Sequence, residues 1–327
     1  MSKFIGRQQQ VGISKEATRG TLVAPTFWVP KVNFDVEDKV LKQTFMGNYG
    51  VLAGGDDSLV TQKWAEGNLE LELTDKNLGL LLYGMFGTLS SASFSSVYKH
   101  TLSIQNSVQP TTLSLFMQDT ISDAASKTLA YAMAMINSME LKIEMGELIK
   151  ATFNFLAKGH TDFTEQTPSY TAENKFSGRH LTFKVAADSS SLDAASKINL
   201  QSLDLKIDRA VARENALGTV QPVDILAKMF KISGTIKLTY EDRTYRNFML
   251  DGTKKAIRID IVNPDVTIGS SNPSFRIDLP IVHFDSWEPT HPNDDVSTQE
   301  IAFEALYDVT NTQLVSSAYV INETTSY

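Results

Sequence analysis

Gly67-Asn68-Leu69-Glu70-Leu71-Glu72-Leu73-Thr74-Asp75 alternates apolar and polar residues, and 167 residues later Gly234-Thr235-Ile236-Lys237-Leu238-Thr239-Tyr240-Glu241-Asp242 does the same, without a gap. A period of two is the mark of a strand with one buried face. In each case the period then changes to that of a helix. After Asp75, Leu78, Leu81, Leu82 and Met85 fall at i, i+3, i+4 and i+7, and after Asp242, Tyr245, Phe248 and Met249 fall on the same stripe. The spacing predicts a short amphipathic helix in both places, capped by Asp75 at one start and ended by Gly87 and Gly252.

Matches extend outward from this pair. Upstream, Val32-Asn33-Phe34-Asp35-Val36-Glu37-Asp38 aligns with Leu203-Asp204-Leu205-Lys206-Ile207-Asp208-Arg209. Downstream, Ile136-Asn137-Ser138-Met139 matches Phe284-Asp285-Ser286-Trp287, and Phe153-Asn154-Phe155 matches Ile301-Ala302-Phe303, both at a separation of 148. The change from 167 to 148 places a 19-residue deletion in the second copy, opposite the Ser-rich run 90–96 and the Ala-rich stretch near Ala124. A second alignment, of residues 136–143 with 198–207, leaves the register of individual strands open.

The expected fold class is therefore mainly β: a tandem duplication of a β-sandwich, each copy with one short flanking α-helix. The expected domains are residues 1–162 (copy one with an N-terminal arm), a linker at 163–178, copy two at 179–308 and a tail at 309–327. Each copy carries a stretch of about 20 residues, 40–62 and 210–229, between two strands. That is long for a hairpin loop and marks a functional segment.

Composition bounds the partners. The 327 residues, 42% hydrophobic and 21% charged, suffice for two cores. With no cysteine there is no disulfide or thiolate chemistry, and a net charge of −8 argues against gripping nucleic acid. The longest apolar run, 78–86, is broken by Gly79 and Gly84 and is about half a membrane span. The polar start of the chain lacks the apolar stretch of a signal peptide. A soluble protein without a membrane partner is expected.

Motifs of catalysis are not found. His100, His160, His180, His283 and His291 are scattered without metal-ligand spacing, and His283 is expected to be a partly buried packing residue. Neither a phosphate-binding Gly-Lys-Ser/Thr loop nor a Gly-x-Ser-x-Gly elbow is present. Asp56-Asp57 and Asp294-Asp295 could hold calcium or act as an acid–base pair, but acidic pairs beside Gly or Pro-Asn are the ordinary furniture of turns. Trp28, Trp64, Trp287 and Phe34 stand where core or interface packing is expected. The expectation is a non-enzymatic protein with no catalytic residue, cofactor or metal.

One motif is more specific. Gly12-Ile13-Ser14-Lys15-Glu16-Ala17-Thr18-Arg19-Gly20-Thr21, followed by Ala24-Pro25-Thr26-Phe27-Trp28, resembles the N-terminal region of major tail tube proteins of long, non-contractile-tailed bacteriophages. The duplicated layout extends the likeness over most of the chain, while the polar leader 1–10 and the shortened second copy depart from it. The resemblance implies a tail-tube-like sandwich whose inner strands join those of its neighbours into a barrel of six domains. A two-domain chain reaches that ring as a trimer, with two alternating kinds of domain. Rings stack head to tail, other tail proteins bind the ends, and genomic DNA passes the lumen without specific binding. The location implied is the virion tail, after synthesis in the host cytoplasm.

Within this likeness the lumen candidates are Glu70, Glu72, Glu140, Glu144 and Glu304, although Lys237 and Thr239 stand where the first copy has Glu70 and Glu72. The loops that reach the next ring would offer Phe45, Tyr49, Asp56, Asp57, Gln221 and Asp224. The alternatives are a tail hub or tail-end ring that does not stack, and a carbohydrate-binding β-sandwich with an aromatic platform beside a carboxylate pair.

Overall fold

The computed structural model describes residues 5–52, 54–119 and 128–327. The first four residues of the leader, Ala53 of the first long loop and the Ala-rich stretch near Ala124 lie outside the described residues. Its backbone is mainly β, in large antiparallel sheets. Leu69, Leu71 and Leu73 are buried, as are Ile236 and Leu238, while the intervening polar side chains face the other way. The alternation that opened the sequence is thus the pleat of two strands, Asp57–Glu72 and Lys231–Thr239.

Eight strands form one sheet across the molecule. Their order is Glu37–Phe45, Asp57–Glu72, Lys150–Ala157, Thr128–Glu144, Ser202–Asp208, Lys231–Thr239, Thr298–Ala305 and Ser274–Thr290. Two members, Thr128–Glu144 and Ser274–Thr290, are 17 residues long and each serves two sheets. The second half of Thr128–Glu144 pairs with Lys150–Ala157, and its first half pairs with Leu113–Gln118 and Thr161–Phe163. Ser274–Thr290 repeats this with Thr298–Ala305, then Lys255–Val262 and Ser317–Asn322.

Bulges turn these long strands from one sheet to the other. The register slips at Asn137 against Asn154–Phe155, and 148 residues on it slips at Asp285 against Ala302–Phe303. A second slip lies between the pairs Ala134↔Leu113 and Tyr131↔Leu115, and again between the pairs Val282↔Lys255 and Leu279↔Ile257. The second layers are completed by Gln10–Lys15 with Phe27–Val29 in one half, and by Leu181–Ala186 with Lys197–Ile198 in the other. One apolar cluster runs through both halves, from Val11 to Val320.

The upstream strands match with a shift of two residues from the sequence alignment. Phe34 pairs with Leu69 and Leu203 with Ile236, so Phe34 corresponds to Leu203 at a separation of 169. A shift of two keeps every side chain on its face, which is why alternation alone could not detect it. The close approach of these strands explains both leading glycines. A Cβ on Gly67 would lie 2.5 Å from the Asp35 carbonyl oxygen, and one on Gly234 would lie 2.7 Å from that of Asp204.

Two helices follow the strands as the spacing predicted: α1, Asn77–Phe86, and α2, Thr244–Leu250. α2 is amphipathic, with Tyr245 buried and Phe248 stacked on Phe284 at 5.9 Å. α1 differs from the expectation, since all ten of its residues are buried. Its outer side is covered by the C-terminal Tyr327, whose ring would lie 2.0 Å from a Cβ on Gly79. Asp75 is not the cap of α1. Its carboxylate accepts the Asn174 backbone and side-chain amides at 2.9 and 2.8 Å, while Thr74 and Asn77 bond each other across the first turn. Gly87 ends α1 in the left-handed conformation (φ 89°), where glycine carries no Cβ penalty.

The length difference between the halves is a whole hairpin. Asn77 and Thr244, which begin the helices, are 167 apart, but the paired strands beyond them start at Leu113 and Lys255, only 142 apart. The first half holds Gly87–Phe94 and Val97–Ile104 in this interval, and the separation returns to 148 by Ala134 and Val282. The 19 residues read from the sequence are therefore a net figure. Val97–Ile104 pairs with Ser317–Asn322, so the hairpin of one half extends a sheet of the other. The segment 309–327 thus contains a strand paired on both sides, and the segment 163–178 ends with Phe176 fully buried and bonded to Leu73 and Ile149.

Candidate assembly surfaces

The two halves meet edge to edge. Ser138–Glu144 and Ser202–Asp208 pair over seven residues, from Ser138↔Asp208 to Glu144↔Ser202. At the end of this seam the Arg209 amide donates to the Asn137 carbonyl at 2.8 Å, and the Val211 amide donates to the Asn137 side chain at 2.9 Å. The bulge residue therefore receives the incoming strand. The Arg209 side chain is buried and donates to the Gly84 carbonyl near the end of α1 at 2.6 Å. Burial, with Arg19 nearby, brings its pKa down to about 10.

Both outer edges of the eight-strand sheet are free among the described residues. Among the described residues, Asn33–Phe34 and Glu37–Phe45 pair only with Asp57–Glu72, and residues 284–290 pair only with Thr298–Ala305. An unpaired edge is a template for another strand. Pro289 sits on the second of these edges, where a missing N–H is tolerated.

The face away from the core is mainly polar, with Leu156, Ala302 and Trp64 among its apolar side chains. Glu70, Glu72, Glu140, Glu144 and Glu304, the expected lumen residues, all lie on it. The structure adds lysines that the sequence reading placed less fully. Lys206 bonds Glu140 at 2.6 Å, Lys142 bonds Glu144 at 2.8 Å and Lys231 bonds Glu304 at 2.6 Å, with Lys175 3.8 Å from Glu72. These hydrogen bonds hold the Lys206, Lys142 and Lys231 ammonium groups above their ordinary pKa. Of the five glutamates, Glu70 alone has no ion pair among the described residues. The face is a mixed, mostly neutralised lattice with a few uncompensated acids.

The two long loops have different placements. Residues 40–62 form an arm: Glu37–Phe45 and the start of Asp57–Glu72 run out as a two-stranded ribbon. Phe45, Met46, Tyr49 and Leu52 are exposed at its tip, Leu52 completely. Tyr49 donates to Asp56, and Asp57 accepts the Ser58 amide at 2.7 Å, so this acidic pair is occupied in turn bonding. Asp295 likewise accepts the Val296 amide at 2.7 Å. Residues 210–229 fold back on their own chain instead. Ala212–Glu214 pairs with Asp224–Leu226, Arg213 stacks 3.6 Å from the Trp64 ring centre, and the Val220 carbonyl accepts the Lys63 amide at 2.7 Å. Asp224 is engaged by Arg19, and Gln221 is half-buried.

Arg19 belongs to the motif at residues 12–28, which now has a physical reading. A Cβ on Gly12 would lie 2.7 Å from Pro25, and Gly20 has φ +75°. Between them Glu16, fully buried, accepts the Gly20 and Met133 amides at 2.6 and 2.8 Å, the Ser114 hydroxyl at 3.1 Å and the Thr112 hydroxyl. A buried carboxylate needs such a shell of donors. Arg19 itself donates to the carbonyls of Pro110 at 2.5 Å and Ile225 at 2.6 Å. The motif is a structural knot that ties the N-terminal segment to both halves.

The aromatics divide. Trp28 and Phe34 are buried, Trp64 lies under Arg213, and Trp287 is half-buried and donates to Gln299 at 2.8 Å. One cluster escaped the sequence reading. His283, Asp285 and Glu304 bring their ligand atoms within 4.8 Å of one another, His283 3.2 Å from Asp285, with Glu304 already held by Lys231. The His-x-Asp spacing on one strand was the available signal; Glu304 comes from the neighbouring strand and gave none.

Among the described residues no helix is long and apolar enough to cross a membrane. Comparison with curated proteins gives no match. The sequence profile described as "Phage tail tube protein" matches residues 6–305, and across that nearly complete span the open-edged β architecture and the knotted N-terminal motif belong to a phage tail tube protein, a structural component of the virion tail from a family that is not one of enzymes.

Proposed function

We propose that this chain is the repeating subunit of the tube itself. It is a tandem duplication of one tail-tube domain, three chains close into a ring with pseudo-sixfold symmetry, and the rings stack head to tail around a channel for DNA. The observation that carries this reading is the eight-strand sheet, open at both edges among the described residues and mainly polar on one face. Joining such edges between chains satisfies them, and head-to-tail contacts between rings give an open filament. Duplication is supported by the bulges at Asn137 and Asp285, which fall at the same point of the same pairing scheme.

In the ring the polar face lines the channel, with Glu70, Glu72, Glu140, Glu144 and Glu304 on it. Its lysines lower the net charge, and the remaining acids keep phosphate from adhering. The arm at 40–62 reaches the next ring through Phe45, Tyr49, Asp56 and Asp57, while the loop that holds Gln221 and Asp224 braces the base of the arm through Arg213 and Val220 of the same chain. Negative-stain microscopy of the purified chain tests the reading. Threefold rings that stack into tubes are expected. A monomer under all salt and concentration conditions overturns it, and rings that never stack assign the chain to a tail-end ring instead.

A further inference from the structure

The seam between halves and the two free edges are made of corresponding residues. On one side, residues 138–142 correspond to residues 286–290, the end of the strand, at a separation of 148 fixed by the matching bulges. On the other, Ser202–Asp208 corresponds to residues 33–39 at a separation of 169, fixed by Phe34↔Leu69 and Leu203↔Ile236. An irregular bond confirms the second correspondence: Val32 donates its amide to Glu70 at 2.8 Å, and Gln201 donates to Lys237 at 2.7 Å. The molecule thus carries, unpaired at its two ends, both sides of a joint that it has already formed once in its middle.

We propose that the occupant of each free edge is a second copy of this chain, seated in the register of the internal seam. This rests on the ring reading and specifies it. Transferring Lys206↔Glu140 and its neighbours puts Glu37 of one chain opposite Glu288 of the next, Asp35 opposite Thr290 and Lys39 opposite Ser286. The transferred seam differs from the internal one at its centre. Inside the chain a lysine meets a glutamate at 2.6 Å; between chains two glutamates meet. Like charges directly opposite on paired strands are destabilising. Glu37 is bonded to Lys39 of its own strand, and Glu288 is exposed with no ion pair among the described residues. The chain–chain joint is therefore the weaker of the two, and a single charge reversal repairs it.

The absence of cysteine from the sequence makes the register directly readable. Glu37→Cys with Glu288→Cys, oxidised after assembly, is expected to give covalent dimers and trimers on a non-reducing gel. Within one chain these positions lie at opposite edges of eight strands, on the order of 30 Å apart at ~4.8 Å per strand, too far for an internal disulfide. The displaced pair Asn33→Cys with Glu288→Cys, four residues out of register, is expected not to cross-link. Rings that form while the matched pair stays uncross-linked, or that cross-link through the displaced pair, overturn the register and leave the ring reading standing. Absence of rings from the unmodified chain overturns the ring reading itself. Glu288→Lys is expected to lower the protein concentration needed for assembly several-fold, and an unchanged or higher threshold overturns the charge argument.

Discussion

Arg19 and Asp224, 205 residues apart, are joined by a guanidinium–carboxylate bond of 2.5 Å that pins the N-terminal segment to the loop of the second half. The same guanidinium holds the Pro110 and Ile225 carbonyls, so its planar fork serves three partners at once. Arg19→Ala is expected to cost about 2 kcal/mol, given that hydrogen bonds to charged groups contribute roughly 1.5–3 kcal/mol and this site is about a quarter exposed. Arg19→Lys should recover little of it, because an ammonium group cannot reproduce the fork. Urea unfolding of the three proteins checks this; equal midpoints would show that the contact is ornamental.

Gly67 and Gly234 lead the paired strands because a neighbouring backbone passes over each of them. Gly67→Ala and Gly234→Ala should each destabilise by roughly 1–3 kcal/mol through overpacking. They should differ in a second readout. Gly67 abuts Asp35 on a free edge, so its substitution displaces that edge and impairs assembly, whereas Gly234 abuts Asp204 inside the chain. Sedimentation of both variants, at conditions where both are folded, separates the two effects.

The arm tip predicts a variant with the opposite profile. Met46→Glu with Leu52→Glu alters side chains that are exposed in the single chain, so stability should change by no more than about 0.5 kcal/mol. Stacking should be lost while single rings persist. Tubes formed normally by this variant would show that the arm does not carry the ring-to-ring contact.

His100 gives a pH dependence. Buried between Ser91 Oγ at 2.8 Å and Asn322 Oδ1 at 3.0 Å, its imidazole is held below the ordinary value of 6.5, burial being the main cause. His180 shifts the same way, again chiefly by burial. In the pH range below 6.5 the unfolded chain binds protons that the folded chain refuses, so stability falls as pH falls through that window. Denaturant midpoints should decline from pH 7.5 to 5.5, and His100→Gln should flatten the slope. A slope unchanged by that substitution would assign the effect elsewhere.

Much of this was legible because its signals are local. The alternation at 67–73 and 234–240, the helical stripe after each and the 148-residue spacing of the later strands all survive in the structure. What was not legible depends on partners distant in the chain. The period of α1 described an amphipathic helix, yet Tyr327 buries its far side. Alternation could not tell a two-residue shift at Phe34 because both registers present the same face. Glu70 and Glu72 were readable as one face of one strand, but that Glu140 and Glu304 share it, and that lysines of other strands meet them, was not: Lys206 reaches Glu140 across 66 residues. Asp224 looked like a loop tip and is an anchor for Arg19.

The hairpin Gly87–Phe94 and Val97–Ile104 lends a strand of the first half to a sheet of the second, through Tyr98↔Asn322 to Thr101↔Tyr319. Together with the internal seam it laces the halves at two separate places. Neither half can melt without tearing ladder bonds out of the other, so unfolding should run as one all-or-none event despite the chain's length. Calorimetry would then record a single endotherm whose van't Hoff and calorimetric enthalpies agree. In the proposed tube, such lacing makes the whole chain, and not either half, the unit of mechanical failure.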